Sequence, residues 1–390
     1  MARNISVGID IGTYQVKVVI AECVRGNNAS IPKILGTGLA QSRGLRHGYI
    51  INSTDIVRSI QKAIQQAETV AKIKVKKAYL SVGGIGLEEM HSKGEAVVAR
   101  ADGEVTDLDI KKAIEESENK IEQKLLNRKI IHAVPLAHKV DGQKVLGKLR
   151  GMKGIKIEVE TLFITCLEQH LNDLISAVEK TGIAVEDVMV SPLAASLVTL
   201  SRAQKMAGCI LVNIGAETVS AIVFENNIPI SLKVFSIGAT DITNDIALGL
   251  KVSLEEAEQL KHGTIVGTTH PQRKLDDIIT ARLKDIFEFT DNYLKKIGKS
   301  GLLPAGVILT GGGSGITTIE DLALASLKLP SQIGELKVLD LPRGNIKDAS
   351  WAVAYGLCIF GFRAEDSYAS MKFVKTTGGN MITWIKQFLP

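Results

Sequence analysis

One short pattern occurs twice in this chain, and it constrains the fold more than any other feature. Residues 10–22, DIGTYQVKVVIAE, align without a gap to residues 213–225, NIGAETVSAIVFE. In both stretches an apolar strand ends in a polar residue, turns at a glycine and resumes as a second apolar strand. A repeat at domain spacing predicts two lobes related by duplication. The identical positions are Ile11 and Ile214, Gly12 and Gly215, Val16 and Val219, and Glu22 and Glu225.

Each hairpin carries a polar residue where its first strand ends. Asp10 follows a run of apolar β-forming residues, and a buried strand does not tolerate a carboxylate that has no partner. Asn213 occupies the equivalent position in the second stretch. Gly12 and Gly215 stand where the backbone must bend or approach another group closely. We therefore expect a hairpin with a polar tip in each lobe.

A third glycine-rich turn lies in residues 306–316, GVILTGGGSGI, where the predicted strand Val307–Thr310 runs into three glycines. Glycines let backbone N–H groups approach a ligand because no Cβ stands in the way. An ordinary tight turn explains any one of the three loops taken alone. The three together favour a phosphate or a nucleotide held between two lobes.

The composition agrees with a protein of several lobes and argues against nucleic-acid binding. With 390 residues, 45% of them hydrophobic, the chain can bury several cores. The net charge is only +5 and aromatic residues make up 4%, whereas a nucleic-acid surface needs concentrated basic charge and aromatic stacking partners. The cysteines are widely spaced and the chain enters its first strand without a signal-peptide pattern, so we expect a cytoplasmic protein.

Helical and strand patterns alternate along the chain, which predicts an α/β fold with mixed sheets. Helical periodicity predicts a helix over residues 54–71, and the apolar run 351–362 predicts a buried helix. The charged stretch 107–126 predicts a further helix, opened by a capping box between Thr106 and Asp109.

The chain resembles the actin-like ATPase superfamily and, within it, the FtsA family of bacterial cell-division proteins. The resemblance runs almost end to end and implies an actin-like ATPase fold, with two RNase H-like lobes and two inserted subdomains. The stretch with TNDIA and the stretch with GMKG are the most specific parts. The motifs that carry it are GIDIGT (8–13), VDGQ and GMKGIKIEVETLFIT within 140–165, NIGAETVSAIVFEN (213–226), SIGATDITNDIALGL (236–250), AEQLKHG (257–263) and GVILTGGGSGI.

The same resemblance implies a division of the chain into subdomains. The predicted parts are lobe 1A (1–80, 162–192 and 352–363), inserted subdomain 1C (81–161), lobe 2A (193–237 and 302–351), subdomain 2B (238–301), a linker (364–379) and a terminal amphipathic helix (380–390).

Family membership of this kind implies ATP with Mg²⁺ between the lobes. Backbone N–H groups and a hydroxyl suit phosphate, and a carboxylate suits Mg²⁺. For Glu258 and Lys261, a solvated ion pair on one helix face is the alternative. The implied contacts are Asp10, Gly12 and Thr13 with the phosphates and hydrated Mg²⁺, Asp10 being the metal-side carboxylate; Gly215 and Thr218 with the phosphates from the other lobe; Glu258 and Lys261 with ribose and base; and Gly311, Gly312, Gly313 and Ser314 with the adenosine side.

The phosphate loops depart from the family pattern. The second loop of the family reads like D-x-G-G-G-T-T-D, but here Asn213 brings no negative charge and Ala216 replaces a glycine. Glu217 adds a carboxylate that would repel phosphates unless it turns away or meets the metal. Gln15 replaces the usual lysine of the first loop, and Lys17, on the same strand face, is the candidate substitute. We expect weakened nucleotide binding and slow or absent hydrolysis, since no strong general base is visible.

The end of the chain, MITWIKQFLP (381–390), predicts an amphipathic helix. A two-faced helix with Trp and Phe after a polar linker fits a membrane interface, and FtsA-family proteins end in such a helix. The alternative is a helix that packs on the protein's own surface. The residues of the apolar arc are Met381, Ile382, Trp384, Ile385, Phe388 and Leu389.

The resemblance implies an adaptor that tethers the FtsZ ring to the inner face of the cytoplasmic membrane. Such a protein binds ATP, polymerises with itself as an actin-like filament and recruits later division proteins. By analogy, the FtsZ C-terminal tail binds the helical insertion, where Arg273, Lys274 and Arg282 offer positive charge, unless these are ordinary solvated helix charges. The alternatives are a PilM-like pilus-assembly protein and a small-molecule kinase, which would need a carboxylate base in a sugar-sized cleft.

Overall fold

The computed structural model describes residues 4–25, 30–145, 147–263, 271–336 and 348–370. The strands are β1 (Ile5–Ile11), β2 (Gln15–Arg25), β3 (Ser30–Gln41), β4 (Leu45–Arg46), β5 (Tyr49–Ile50), β6 (Lys77–Val82), β7 (Glu88–Val97), β8 (Arg128–Val140), β9 (Gln143–Val145), β10 (Lys156–Leu167), β11 (Ala184–Val190), β12 (Cys209–Ile214), β13 (Val219–Glu225), β14 (Ile228–Phe235), β15 (Val307–Thr310) and β16 (Ser331–Ile333). The helices are α1 (Ser53–Ala71), α2 (Asp107–Asn119), α3 (Glu168–Glu179), α4 (Ser191–Thr199), α5 (Arg202–Ala207), α6 (Ala239–Leu250), α7 (Leu254–Lys261), α8 (Gln272–Lys296), α9 (Ile319–Leu327) and α10 (Ala352–Ser370).

Two five-stranded sheets have the same topology. The first has the order β3-β2-β1-β6-β11, and the second has the order β14-β13-β12-β15-β16. In each sheet the central strand pairs antiparallel with the next strand of the chain and parallel with a later one. The repeated sequence pattern therefore marks two lobes of equivalent construction, as predicted.

Helices cover both faces of the first sheet. Asn52 caps α1 by accepting hydrogen bonds from the backbone N–H groups of the first turn, and an apolar face that includes Ile56 and Ile60 is fully buried. Helix α10 crosses β1 on the other side, where Gly8 lets the helix backbone approach the strand. Both helices were predicted from the sequence, and both are confirmed.

A third sheet is antiparallel with the order β7-β10-β8-β9, and α2 packs on it. The capping box of Thr106 and Asp109 is confirmed. The predicted helix over 107–126 is confirmed as far as Asn119 and is wrong beyond it, because α2 ends there and a short 3₁₀ helix follows at Glu122–Leu125. Between them the buried Ile121 packs with Ala133 and Phe163 in a small apolar cluster.

Two predicted boundaries differ from the observed elements. Strand β10 continues to Leu167, past the predicted end of subdomain 1C at residue 161. Helix α10 continues to Ser370, so the predicted linker from residue 364 begins as helix. Residues 364–370, AEDSYAS, include the helix formers Ala and Glu and contain neither glycine nor proline, so the helix can continue through them.

Within the described ranges, no helix combines the length and the apolar character that crossing a bilayer requires.

Candidate nucleotide site

The first hairpin places Asp10 at the base of a cleft between the lobes. The Ser81 hydroxyl donates a 2.7 Å hydrogen bond to the Asp10 carboxylate, and Lys17 is its cross-strand partner in the β1–β2 register. Burial raises the pKa of Asp10, while Lys17 and Ser81 act in the opposite direction. Burial lowers the pKa of Lys17, against the attraction of Asp10 and Asp348. The site therefore holds a half-buried carboxylate that a cation would stabilise in its charged form.

The turns that follow β1 and β12 have the same geometry. The backbone N–H of Gly12 donates to the Gln15 carbonyl oxygen at 3.1 Å, and Gly215 donates to the Thr218 carbonyl oxygen at 2.9 Å. A Cβ on either glycine would lie 2.9 Å from that same oxygen. Glycine is therefore required at both turns because only it fits under the closing carbonyl.

The third glycine turn follows β15 and approaches the second hairpin from the side. Gly311 has φ +89°, and a Cβ there would collide with the Asn213 side chain. A Cβ on Gly312 would meet no atom within 4 Å, so this residue opens onto the cleft. The buried Ser314 donates its hydroxyl to the Gly311 carbonyl oxygen at 2.7 Å and holds the turn in shape.

These loops enclose a cleft of about 1590 Å³. That volume is ample for a nucleotide, since small-molecule pockets span roughly 300–1,000 Å³. The glycine turns of both lobes and the Asp10 carboxylate fit a phosphate and its cation. All the residues predicted to meet the nucleotide line this cleft, namely Asp10, Gly12, Thr13, Gln15, Lys17, Asn213, Gly215, Thr218, Glu258, Lys261, Gly311, Gly312, Gly313 and Ser314.

Lys261 and Glu258 form a network that joins α7 to α6. The Lys261 ammonium donates to Glu258 Oε2 at 2.7 Å, to the Thr243 hydroxyl at 2.8 Å and to the Ala239 carbonyl oxygen at 3.2 Å. These contacts use all three of its N–H groups, and its side chain is only 4% exposed. In this arrangement Lys261 positions Glu258 and α6, and the contact of Glu258 and Lys261 with ribose and base stays a prediction.

The ionised form of Glu258 is stabilised in the fold. Burial alone would raise its pKa, but hydrogen bonds from three neighbouring side chains lower it to about 2, from an ordinary value of 4.5. A carboxylate with a lowered pKa stabilises the fold above pH 4.5, and this contribution is lost as the pH falls towards 2.

Glu258→Gln is therefore expected to cost about 2 kcal/mol at pH 7, the scale of hydrogen bonds to a charged group. The cost should be smaller at pH 3, because the unfolded wild type then gains a proton. Urea unfolding at both pH values measures this, with the exposed Glu255→Gln on the same helix as the control. An equal cost of Glu258→Gln at the two pH values would contradict the charged network.

Glu217 turns away from the phosphate loops. Its carboxylate accepts a hydrogen bond from the backbone N–H of His47, which lies in the other lobe at the tip of the β4–β5 hairpin. The first of the two orientations considered from the sequence is therefore the one adopted. Sequence reasoning missed His47, since nothing local marks it. It also missed Gly83 and Gly84, which line the cleft and which a glycine pair after a predicted strand could have indicated.

The three basic residues predicted to bind the FtsZ C-terminal tail have different surroundings in the structure. Arg273 is exposed at the start of α8. Lys274 donates to the Gly249 carbonyl oxygen at 2.6 Å. Arg282 makes hydrogen bonds of 2.7 and 3.1 Å with Asp245, so its charge is already compensated. The predicted membrane residues Met381, Ile382, Trp384, Ile385, Phe388 and Leu389 lie outside the described residues.

Solved structures with the same architecture are actin-like ATPase-fold proteins, which confirms the predicted fold. The PilM-PilN type IV pilus biogenesis complex contains a chain that matches with a TM-score of 0.70 at 17% identity, over 91% of this chain and 98% of that chain. MreB5 of Spiroplasma citri bound to ADP matches with a TM-score of 0.53 at 11% identity, over 94% and 98% of the two chains.

Sequence comparisons identify the family. Residues 210–356 match the family model of cell division protein FtsA, and residues 87–165 match that of the SHS2 domain inserted in FtsA. FtsA of Bacillus subtilis strain 168 is 29% identical over 382 residues, covering 93% of this chain and 84% of the relative. FtsA of Enterococcus hirae is 30% identical over 359 residues, covering 84% and 79%. Matches over most of its length show that this chain belongs to the family of the cell division protein FtsA.

Proposed function

We propose that this cell-division protein binds ATP with Mg²⁺ in the cleft between its lobes. The observation that carries the proposal is the pair of matched glycine hairpins facing one cavity, with Asp10 at its base. The Gly12 and Gly215 turns would hold the phosphates through backbone N–H groups other than those of the two glycines, which close the turns, and Asp10 would hold the hydrated Mg²⁺. Bound Mg²⁺ supplies positive charge that offsets the phosphates.

ATP serves as a structural ligand in this proposal rather than as a rapidly consumed substrate. Gln15, the first residue of β2, and Asn213, next to the last residue of β12, line the cleft, and neither side chain is a general base. Asn213 also adds no negative charge for Mg²⁺, which supports weak binding. We expect slow hydrolysis for these reasons.

The second part of the proposal is a membrane adaptor for the FtsZ ring. Family membership and the two-faced pattern of residues 381–390 support it. A single short helix gives weak, reversible binding, and assembly of the protein into filaments would multiply that affinity by avidity. The exposed Arg273 end of α8 is the proposed site for the FtsZ C-terminal tail, and subdomain 1C is the proposed contact with neighbouring subunits or later division proteins.

The membrane helix is tested with lipid vesicles that contain anionic lipid. Trp384→Glu is expected to release the protein, because a charge in place of an interfacial indole costs roughly 2 kcal/mol or more. Thr383→Glu adds the same charge on the polar face and should leave flotation nearly unchanged. Flotation of the Trp384→Glu protein at the wild-type level would contradict the membrane helix.

Neither alternative function gains support from a specific observation. The PilM chain shares the fold at 17% identity, and a likeness at that level concerns architecture alone. A small-molecule kinase needs a carboxylate base facing a sugar-sized cleft, and the Glu258 carboxylate is already held by its neighbours.

A further inference from the structure

A contact between the lobes lies beside the phosphate hairpins. The Glu217 carboxylate accepts the backbone N–H of His47, and the Glu217 carbonyl oxygen lies 3.3 Å from His47 Nδ1. The two residues are 170 positions apart, and each belongs to a different lobe. Hydrogen bonds to an ionised acceptor are about twice as strong as neutral ones. This pair therefore fastens the lobes together at one end of the cleft.

The His47 side of the contact is fixed to the first lobe. Gly48 has φ +92°, and a Cβ there would lie 2.5 Å from the Gly84 Cα atom, so the hairpin tip rests directly on the loop after β6. The His47 carbonyl oxygen accepts the Ile85 N–H at 3.3 Å. The Tyr49 ring packs on His170 at 4.7 Å. These contacts hold His47 in a fixed position relative to the rest of the first lobe.

The Glu217 side is equally fixed to the second lobe. The first N–H groups of α6 donate to the turn, from Ala239 to the Gly215 carbonyl oxygen at 2.9 Å and from Thr240 to the Ala216 carbonyl oxygen at 2.8 Å. The turn itself is closed by the Gly215–Thr218 hydrogen bond. Glu217 thus extends from a rigid corner that also forms the second phosphate loop.

The cleft lies directly beside this contact. Gly48, Gly83 and Gly84 line it from the first lobe, and Ala216 and Thr218 line it from the second. A ligand leaving from the phosphate end needs these segments to separate, and such opening steps often limit release. The Glu217–His47 contact also directs the Glu217 carboxylate towards the His47 N–H and away from the cleft between the two glycine hairpins.

We propose that Glu217 is a positioning residue that latches the two lobes through the His47 backbone and slows the release of nucleotide. This proposal rests on the proposed nucleotide site. It explains how a carboxylate is tolerated in a phosphate loop, since its charge is used in closing the cleft.

Release of the fluorescent nucleotide mant-ADP with Mg²⁺, measured by stopped flow on the full chain, tests the latch. Glu217→Ala should release it about tenfold faster, which corresponds to ~1.4 kcal/mol. Glu217→Gln keeps an acceptor but loses the charge, so its release should accelerate only about threefold. His47→Gly keeps the N–H and tolerates the left-handed backbone at φ +49°, so its release should accelerate by less than about twofold.

The association rate separates a latch from general damage. A lost latch leaves the phosphate loops intact, so association of mant-ADP should be as fast as in the wild type or faster. Two outcomes would overturn the latch and leave the proposed nucleotide site unaffected. One is release of mant-ADP from Glu217→Ala at the wild-type rate. The other is a Glu217→Gln protein that loses both the fast association of mant-ADP and its thermal stability. Failure of the wild type to bind mant-ADP would refute both the site and the latch.

Discussion

Replacing Asp10 by alanine is expected to abolish the stabilisation that Mg-ATP gives to the folded protein. A ligand at a hundred times its dissociation constant stabilises the native state by about 2.7 kcal/mol, and this gain should fall to near zero. The reason is that, in the proposed site, Asp10 is the carboxylate near the end of β1 that lines the cleft, and its charge is the one a bound cation would neutralise. Thermal unfolding with and without Mg-ATP measures the difference.

The test of Asp10 is the change in melting temperature that Mg-ATP causes, rather than the melting temperature of the variant alone. Asp10→Ala also leaves the half-buried Lys17 without its cross-strand partner, which lowers stability in the absence of nucleotide. Asp10→Asn is the closer control, since it keeps an oxygen for the Ser81 hydroxyl and removes only the charge. ATP should still stabilise the Asp10→Asn variant to part of the wild-type extent, and that stabilisation should no longer depend on Mg²⁺. A full Mg-ATP shift in Asp10→Ala would remove Asp10 from the site.

A Cβ at Gly8 is expected to cost about 3 kcal/mol or more of folding stability, at the upper end of overpacking effects. In Gly8→Ala the new atom would collide with the Ala354 carbonyl oxygen and lie 2.8 Å from the Leu357 Cβ atom. These atoms belong to α10, which packs across β1 through the core. The helix would have to move as a unit, because backbone rather than a flexible side chain meets the added atom.

Gly315→Ala is the matched control, because a Cβ there meets no atom within 4 Å and the residue lacks a positive φ. Its cost should be within a few tenths of a kcal/mol. Urea unfolding without nucleotide, followed by the fluorescence of the buried Trp351 beside α10, compares the two variants. Similar midpoints for Gly8→Ala and Gly315→Ala would show that α10 does not pack on β1 as described.

Local sequence patterns predicted much of the fold. The repeat around Gly12 and Gly215 predicted two equivalent hairpins, and the structure confirms them with the same turn bond in each. Helix α1 was predicted because Asn52 and the apolar spacing after it act within one or two turns. The helix predicted over 107–126 ends early, at Asn119, and Ile121 beyond it packs in a separate tertiary cluster that local periodicity did not predict.

The sequence by itself determined where most of the chain turns and which faces are apolar, because these depend on neighbours a few positions away. The residues that meet at the cleft come from distant segments, and they were expected from the resemblance to the FtsA family rather than from local spacing. Only the tertiary structure decided how charged side chains there are used. Glu217 accepts from a backbone N–H 170 residues distant, Lys261 donates to Ala239 and Thr243 of α6 as well as to Glu258, and Arg282 pairs with Asp245. A long charged side chain can reach many partners, and folding selects among them by bringing distant segments together.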